Sequence, residues 1–246
     1  MSALPATWLL CDADGTLFPS EEPAYDASAQ VTNRFLAGLG ADRTYSPTEL
    51  QSLTNGKNFR AAAGQLAQGY GRELAPAELD RWVAEEKDVV TAHLQTVLRP
   101  DPAVQESLRV LDERFSLAAV TSSARARLDA CLEVTDLSPL FAPARRYSAE
   151  DSLPVPTSKP DPAVYAFALH DLEATPDDAV AVEDSLNGAL SATAAGLRTV
   201  GIVAFVPPEH REERAAGLRE VGCVEVVASW AELVLLLGGH EKARAS

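Results

Sequence analysis

Two aspartates separated by one residue, Asp12 and Asp14, follow directly on an apolar run. The run, residues 8–11, is typical of a buried strand in a parallel sheet. Open α/β sheets bind their ligands at the carboxyl ends of such strands, and Gly15 allows the chain to turn sharply there. Because two neighbouring carboxylates repel each other, the pair predicts a Mg²⁺ site or an acid–base pair. The alternative is an ordinary surface turn, since Asp and Gly are common turn formers.

Polar side chains also follow two later apolar runs. Thr121 follows the run 117–120, and Glu183 and Asp184 follow the run 179–182. A hydroxyl at a strand end can donate to an anionic oxygen, and paired carboxylates suit a hard cation such as Mg²⁺. Each feature also has an ordinary explanation, because Thr is frequent in strands and acidic residues often cap helices. In the helix expected after residues 179–184, Ser185 is the predicted N-terminal cap.

A lysine lies in the segment Ser-Lys-Pro-Asp-Pro, residues 158–162. Pro160 suits the first position of a helix, which predicts that Lys159 is held near the positive end of that helix. Such an end attracts anions, phosphate included. The alternative is a solvated surface lysine, the commonest environment of this residue type.

The order of these residues resembles that of a known family. Asp12, Thr121, Lys159 and the pair 183–184 are similar, in order and spacing, to the four motifs of the haloacid dehalogenase superfamily of phosphotransferases. The resemblance covers nearly all of residues 7–206. It implies an α/β fold, in which a Rossmann-like parallel sheet core carries a small inserted all-helical cap domain.

The resemblance also implies a role for each motif residue. Asp12 would be the nucleophile that forms an aspartyl-phosphate, and Asp14 the general acid that protonates the leaving oxygen and then activates water. Thr121 would donate its hydroxyl to a phosphoryl oxygen, with the backbone amide of Ser122 as a further donor. Lys159 would neutralise charge between the nucleophile and the phosphoryl group.

A Mg²⁺ site is implied at the same strand ends. Asp184 would be a direct ligand, together with Asp12 and the backbone carbonyl of Asp14. Glu183 would either bind the metal as well or orient a water molecule. Mg²⁺ prefers one or two carboxylates completed by water and phosphate oxygens, which this set provides.

Two positions bear on which branch of the family the chain resembles. Dehalogenases of this fold lack the second aspartate, so the presence of Asp14 disfavours dehalogenation. β-Phosphoglucomutases carry a histidine shortly after the first motif, where this chain has Ala24, and its first histidine is His93. The expected function is therefore a Mg²⁺-dependent phosphomonoester hydrolase (phosphatase) acting on a sugar phosphate or phosphoglycolate. The alternatives are a β-phosphoglucomutase-like sugar phosphomutase and a non-catalytic regulatory protein of the same fold.

The periodicity of apolar residues predicts how the elements are arranged. Strands are predicted at 7–11, 116–121, 179–182, 198–204 and 222–227. Helices separate most of them, which favours a parallel sheet with right-handed crossovers. Between the first two strands only helices are predicted, at 24–39, 46–53, 58–68 and 76–97. Ser46 and Glu49 form a sequence-level capping box at the start of the second of these helices.

The helical stretch predicts an inserted domain. We place the α/β core at residues 1–19 and 98–246, and the cap at 20–97. In the family this cap closes over the catalytic carboxylates, and the alternative is a helical addition that does not move. In the loop 54–58, Lys57 or Asn58 is expected to contact the leaving group of the substrate, unless the loop merely caps a helix and exposes its lysine.

Charge and composition exclude several classes of partner. A net charge of −15, from 21 Lys+Arg against 36 Asp+Glu, argues against nucleic acid, which requires a basic face. No apolar window is long enough to span a membrane. The expected partner is a small phosphorylated metabolite, and no pattern predicts an oligomeric state.

The cysteines and the first residues of the chain indicate in which cellular compartment we expect the protein. Three cysteines lie far apart, without a CxxC motif, which is typical of reduced thiols and a cytoplasmic protein. Cys11, next to the first aspartate, is expected to be a buried strand residue rather than a nucleophile. The first residues carry no basic segment of the kind that begins a signal peptide.

Overall fold

The computed structural model describes residues 6–54 and 59–238, and its centre is a parallel sheet of six strands in the order β3-β2-β1-β4-β5-β6. The strands are β1 (Trp8–Cys11), β2 (Ser116–Thr121), β3 (Arg146–Ser148), β4 (Ala179–Glu183), β5 (Arg198–Ile202) and β6 (Glu225–Val227). All pairings are parallel. The predicted α/β class and parallel sheet are confirmed.

The register of the central strands aligns their carboxyl ends. Cys11, the last residue of β1, pairs with Ala119 of β2 on one side and Val182 of β4 on the other. These strands are buried and continuously apolar because helices cover both faces of a parallel sheet. The polar residues that follow each strand therefore meet at one edge of the sheet.

Two compact units share the chain. The described residues of Met1–Phe18 and Arg99–Ser246 form the first unit, which contains the sheet, and Pro19–Leu98 form the second. Helices of the first unit are α5 (Pro102–Asp112), α6 (Arg125–Val134), α7 (Ala163–Asp171), α8 (Leu186–Ala194), α9 (Arg211–Glu220) and α10 (Trp230–Gly238). Among the described residues, no helix combines the length and apolar character that crossing a bilayer requires.

The described residues of the second unit form four helices, as predicted. They are α1 (Glu21–Gly38), α2 (Pro47–Thr54), α3 (Phe59–Gly69) and α4 (Pro76–Val97). Phe35 and Trp82 pack edge to face in their shared core, with ring centroids 5.6 Å apart. The predicted capping box is present, because Ser46 N donates to Glu49 Oε2 at 2.8 Å and Glu49 N donates to Ser46 Oγ at 3.2 Å.

The short strand β3 is absent from the sequence prediction. Its three residues, Arg-Tyr-Ser, carry no apolar alternation. Buried Arg146 is tolerated there because its guanidinium donates to the Phe141 carbonyl at 2.8 Å, to Asp129 Oδ1 at 2.8 Å and to Ser138 Oγ at 2.9 Å. Burial of this charge depends on carbonyl, hydroxyl and carboxylate partners 5 to 17 residues earlier in the chain, and no periodic pattern of the sequence indicates it.

Candidate active site

Three carboxylates converge where β1 and β4 end. Asp12, Glu183 and Asp184 each offer an oxygen within 4.8 Å of the others, and all three side chains are buried. Cys11, the residue before Asp12, is buried in strand β1, as expected. Burial raises the pKa of its thiol. The acidic residues predicted from separate motifs therefore form one cluster.

A buried lysine bridges two of these carboxylates. Lys159 Nζ donates to Asp12 Oδ1 at 2.5 Å, to Glu183 Oε1 at 2.6 Å and to the Val120 carbonyl at 2.9 Å. Burial opposes its charge, but the negative charges of Asp12 and Glu183 prevail and raise the pKa of Lys159 well above its ordinary value. The lysine is therefore a fixed cation in contact with the first carboxylate, and not a solvated surface residue.

The prediction that Lys159 lies at the start of a helix is wrong. Pro160 does not begin a helix, because helix α7 begins at Ala163. Asp161 explains the later start: its backbone N–H donates to the Ser158 carbonyl at 3.1 Å, and its Oδ1 accepts from Ala163 N at 2.9 Å. Pro160 lies in the resulting turn. Ion pairs, rather than a helix end, hold Lys159.

Glu183 lies in a close-fitting environment. Its Oε1 accepts from Tyr165 Oη at 2.5 Å as well as from Lys159. Its Oε2 is buried and accepts no hydrogen bond within the ranges that the structure describes. A Cβ atom on Gly188 would lie 1.8 Å from that Oε2, so only glycine fits there. Gly188 N donates to Ser185 Oγ at 3.0 Å, which confirms Ser185 as the cap of α8.

Replacing Gly188 by Ala is expected to lower the free energy of unfolding by about 1–3 kcal/mol, because the new methyl group overlaps Glu183. Urea unfolding measures the change. Gly64→Ala in α3 is the matched control: a Cβ there meets nothing within 4 Å, so helix propensity should raise stability by up to about 1 kcal/mol. A Gly188→Ala protein as stable as the wild type would contradict the close packing.

Asp184 is oriented from two sides. Thr16 Oγ1 donates to its Oδ1 at 3.1 Å, and Arg214 Nη1 donates to its backbone carbonyl at 2.9 Å. Gly15 has a φ of +83°, and a Cβ there would lie 2.4 Å from Asp184 Oδ2. Both the turn and the close approach therefore require glycine.

The hydroxyl residues after β2 lie beside the second aspartate. Thr121 Oγ1 donates to Asp14 Oδ2 at 3.2 Å, and Ser123 Oγ donates to the same oxygen at 2.8 Å. Ser122 Oγ accepts from Lys159 N at 3.1 Å, which links this loop to the lysine segment.

The charge balance of the cluster suits a cation. Burial raises the pKa of Asp12, although Lys159 opposes the shift, and burial together with Asp12 raises the pKa of Glu183. Lys159 contacts Asp12 and Glu183, and Arg214 Nη1 lies 3.8 Å from Asp184 Oδ2. Two cations do not balance three carboxylates, and a hard dication bound by carboxylate oxygens would relieve the remaining repulsion. The residues present therefore fit a divalent metal.

Several residues of this site are absent from the sequence prediction. Thr16, Ser123 and Gly188 lie inside recognised motifs, so position alone could have indicated them, whereas Tyr165 had no such signal. Two predicted residues, Lys57 and Asn58, lie outside the described residues and stay predictions.

The guanidinium of Arg125 donates to the Arg146 and Pro143 carbonyls and to Asp129. These three bonds tie neighbouring segments of the first unit together. Arg125 therefore has a structural function in this loop.

The chain is similar to known proteins in both sequence and fold. Residues 7–196 match the haloacid dehalogenase-like hydrolase family. The chain is 32% identical to a phosphorylated carbohydrates phosphatase of Thermotoga maritima, covering 89% of this chain and 93% of that one. It is 31% identical to a phosphoglycolate phosphatase of Nitrosospira multiformis, covering 95% and 96%. The solved structure of CbbY from Rhodobacter sphaeroides with phosphate superposes with a TM-score of 0.72 at 24% identity, over 93% of this chain and 96% of that one. This chain belongs to the haloacid dehalogenase-like hydrolases.

Proposed function

We propose that the protein is a Mg²⁺-dependent phosphomonoester hydrolase that works through an aspartyl-phosphate on Asp12. The observation that carries the proposal is the buried contact of Lys159 Nζ with Asp12 Oδ1, in a cluster shared with Glu183 and Asp184. An ion pair in this position lowers the negative charge that an incoming phosphate must meet. The family relation supports a hydrolase, and both curated relatives described above are phosphatases.

The reaction proceeds in two displacements. A carboxylate oxygen of Asp12 attacks phosphorus and forms the aspartyl-phosphate, while the ester P–O bond breaks and Asp14 gives its proton to the leaving oxygen. Asp14 then takes a proton from a water molecule, which attacks the phosphorus and breaks its bond to Asp12. Phosphate leaves, and both aspartates return to their first state. Lys159 balances the charge that gathers on the phosphoryl oxygens.

A metal would be held by Asp12, Asp184 and the backbone carbonyl of Asp14, with Glu183 in contact with the lysine behind them. When bound, Mg²⁺ supplies charge neutralisation at the phosphoryl oxygens. The two carboxylates and the carbonyl provide the hard oxygen donors that this ion prefers. The Ser122 backbone amide would donate to the phosphoryl group. Thr121 would donate to it as well, by turning its single hydroxyl hydrogen from Asp14 Oδ2 to a phosphoryl oxygen when the substrate binds.

The proposed substrate is a small phosphorylated metabolite, a sugar phosphate or phosphoglycolate. The curated relatives support this range, because their names specify phosphorylated carbohydrates and phosphoglycolate. Lys57 and Asn58 are proposed to contact the leaving group. Three buried, unpaired cysteines support a reducing, cytoplasmic environment. The net charge of −15 supports a small-molecule partner rather than nucleic acid.

Phosphate release from a panel of phosphorylated metabolites tests the proposal. We expect release with Mg²⁺ that falls at least about 100-fold when EDTA removes the metal, because unbalanced carboxylates repel the phosphate dianion. The panel contains glucose 6-phosphate, β-glucose 1-phosphate and phosphoglycolate. Isomerisation of one glucose phosphate without release would instead show a mutase. Neither reaction, with the protein folded, would indicate a non-catalytic protein.

A further inference from the structure

Two hydroxyl groups hold the carboxyl group of Asp14. Thr121 Oγ1 and Ser123 Oγ both donate to Asp14 Oδ2, at 3.2 and 2.8 Å. A role for Thr121 is already included in the proposed function, but Ser123 has none. We propose that Ser123 is a positioning residue for Asp14: its hydroxyl sets the orientation of the carboxyl group that protonates the leaving oxygen. This inference rests on the proposed function and adds to it a residue acting on one proton-transfer step.

Ser123 is itself fixed through its backbone. Its N–H donates to Thr121 Oγ1 at 2.9 Å, and its carbonyl accepts from Ser148 Oγ at 2.8 Å. The start of helix α6 is also fixed, because Arg125 N donates to Asp151 Oδ2 at 2.6 Å. A serine held in this way reaches Asp14 without having to order a flexible loop first.

The same contacts define the direction of the neighbouring hydroxyl. Because Thr121 Oγ1 accepts from Ser123 N, the hydrogen of Thr121 is directed away from that amide and toward Asp14 Oδ2. Ser123 therefore acts on Asp14 twice, through its own hydroxyl and through the orientation of Thr121. Only the first of these contacts is lost when Ser123 becomes alanine, since the backbone N–H remains.

The chemistry predicts a selective defect. General acid catalysis accelerates a reaction by about 10²–10⁴-fold, and this acceleration depends on the position of the acid. Loss of one of the two donors that orient Asp14 should therefore remove part of the acceleration. An alkyl alcohol is a poor leaving group that requires the proton from Asp14. The nitrophenolate ion of p-nitrophenyl phosphate leaves without protonation. Ser123→Ala should therefore slow alkyl phosphates much more than p-nitrophenyl phosphate.

The experiment compares kcat/KM for p-nitrophenyl phosphate with that for the best alkyl phosphate of the panel, since this constant reports the step in which the leaving group departs. For Ser123→Ala we expect a loss of about 10-fold on the alkyl phosphate and about 2-fold or less on p-nitrophenyl phosphate. Ser123→Thr, which keeps the hydroxyl, should restore the ratio. Ser138→Ala is the matched control, because that hydroxyl contacts Arg146 and should leave the ratio unchanged.

Thermal unfolding of each variant accompanies the kinetics. Equal losses on both substrates, or no loss on either, would overturn the role of Ser123, since a purely structural residue does not distinguish leaving groups. Failure of the proposed function is a separate result: the wild-type protein with Mg²⁺ would then hydrolyse neither compound. An active wild type with an unchanged ratio in Ser123→Ala refutes only the positioning role.

Discussion

Asp12→Asn is expected to lower kcat/KM for phosphate release by at least about 10⁴-fold, because the amide is a poor nucleophile and Asp12 is the proposed site of the acyl phosphate. Asparagine has nearly the same shape as aspartate, and Lys159 keeps its contact with Glu183 at 2.6 Å. The variant should therefore fold. Steady-state phosphate release with the best substrate of the panel measures the loss.

Two further measurements test why activity is lost. Acid-quenched wild-type enzyme should carry an acid-stable, hydroxylamine-sensitive phosphoryl group that is absent from Asp12→Asn. Asp177→Asn, a change of the same kind at an exposed turn, should retain full activity. If Asp12→Asn kept more than about a tenth of the wild-type rate, another group would be the nucleophile and the proposed mechanism would be wrong.

The sequence predicts which candidate residues lie close together where the ends of strands determine their positions. Asp12, Thr121 and Glu183 were placed by apolar runs that end in polar residues, and parallel strands bring such ends to one edge. Asp12 and Glu183 belong to one cluster in this way, although they are 171 positions apart in the chain. The regular register of a parallel sheet makes that long-range convergence predictable.

The missed features depend on contacts that no local pattern encodes. Tyr165 is an aromatic residue on an apolar helix. The sequence around it does not indicate that the Tyr165 hydroxyl donates to Glu183. Pro160 suits a helix start locally, yet the helix begins three residues later at Ala163, whose N–H donates to the side chain of Asp161. Ser123 is one hydroxyl among several in a loop. In each case local propensities allow several conformations, and a side-chain hydrogen bond stabilises one of them.

Lys159→Met should destabilise the protein by roughly 3–5 kcal/mol at neutral pH, because removing one partner of a buried ion pair leaves charge uncompensated. Asp12 and Glu183 share this cation, with side-chain exposures of 9% and 0%. Methionine has a similar length and is apolar, so the effect reports charge rather than a cavity. Urea unfolding in the absence of metal measures the change. Lys87→Met, at a partly exposed position of α4, is the control and should change stability by less than about 1 kcal/mol.

The pH dependence of the stability of Lys159→Met shows whether the variant is destabilised by the loss of charge or by the loss of packing. Burial already raises the pKa of Asp12 and of Glu183, and removal of the lysine should raise both further. A carboxyl whose pKa is higher in the folded than in the unfolded state favours folding when protonated, and this contribution is lost as pH rises through the folded pKa. The deficit of Lys159→Met should therefore be larger at pH 8 than at pH 5. Adding Glu183→Gln should recover part of the loss at pH 8, because it removes one unpaired charge. An equal deficit at both pH values would instead assign the contribution of Lys159 to packing.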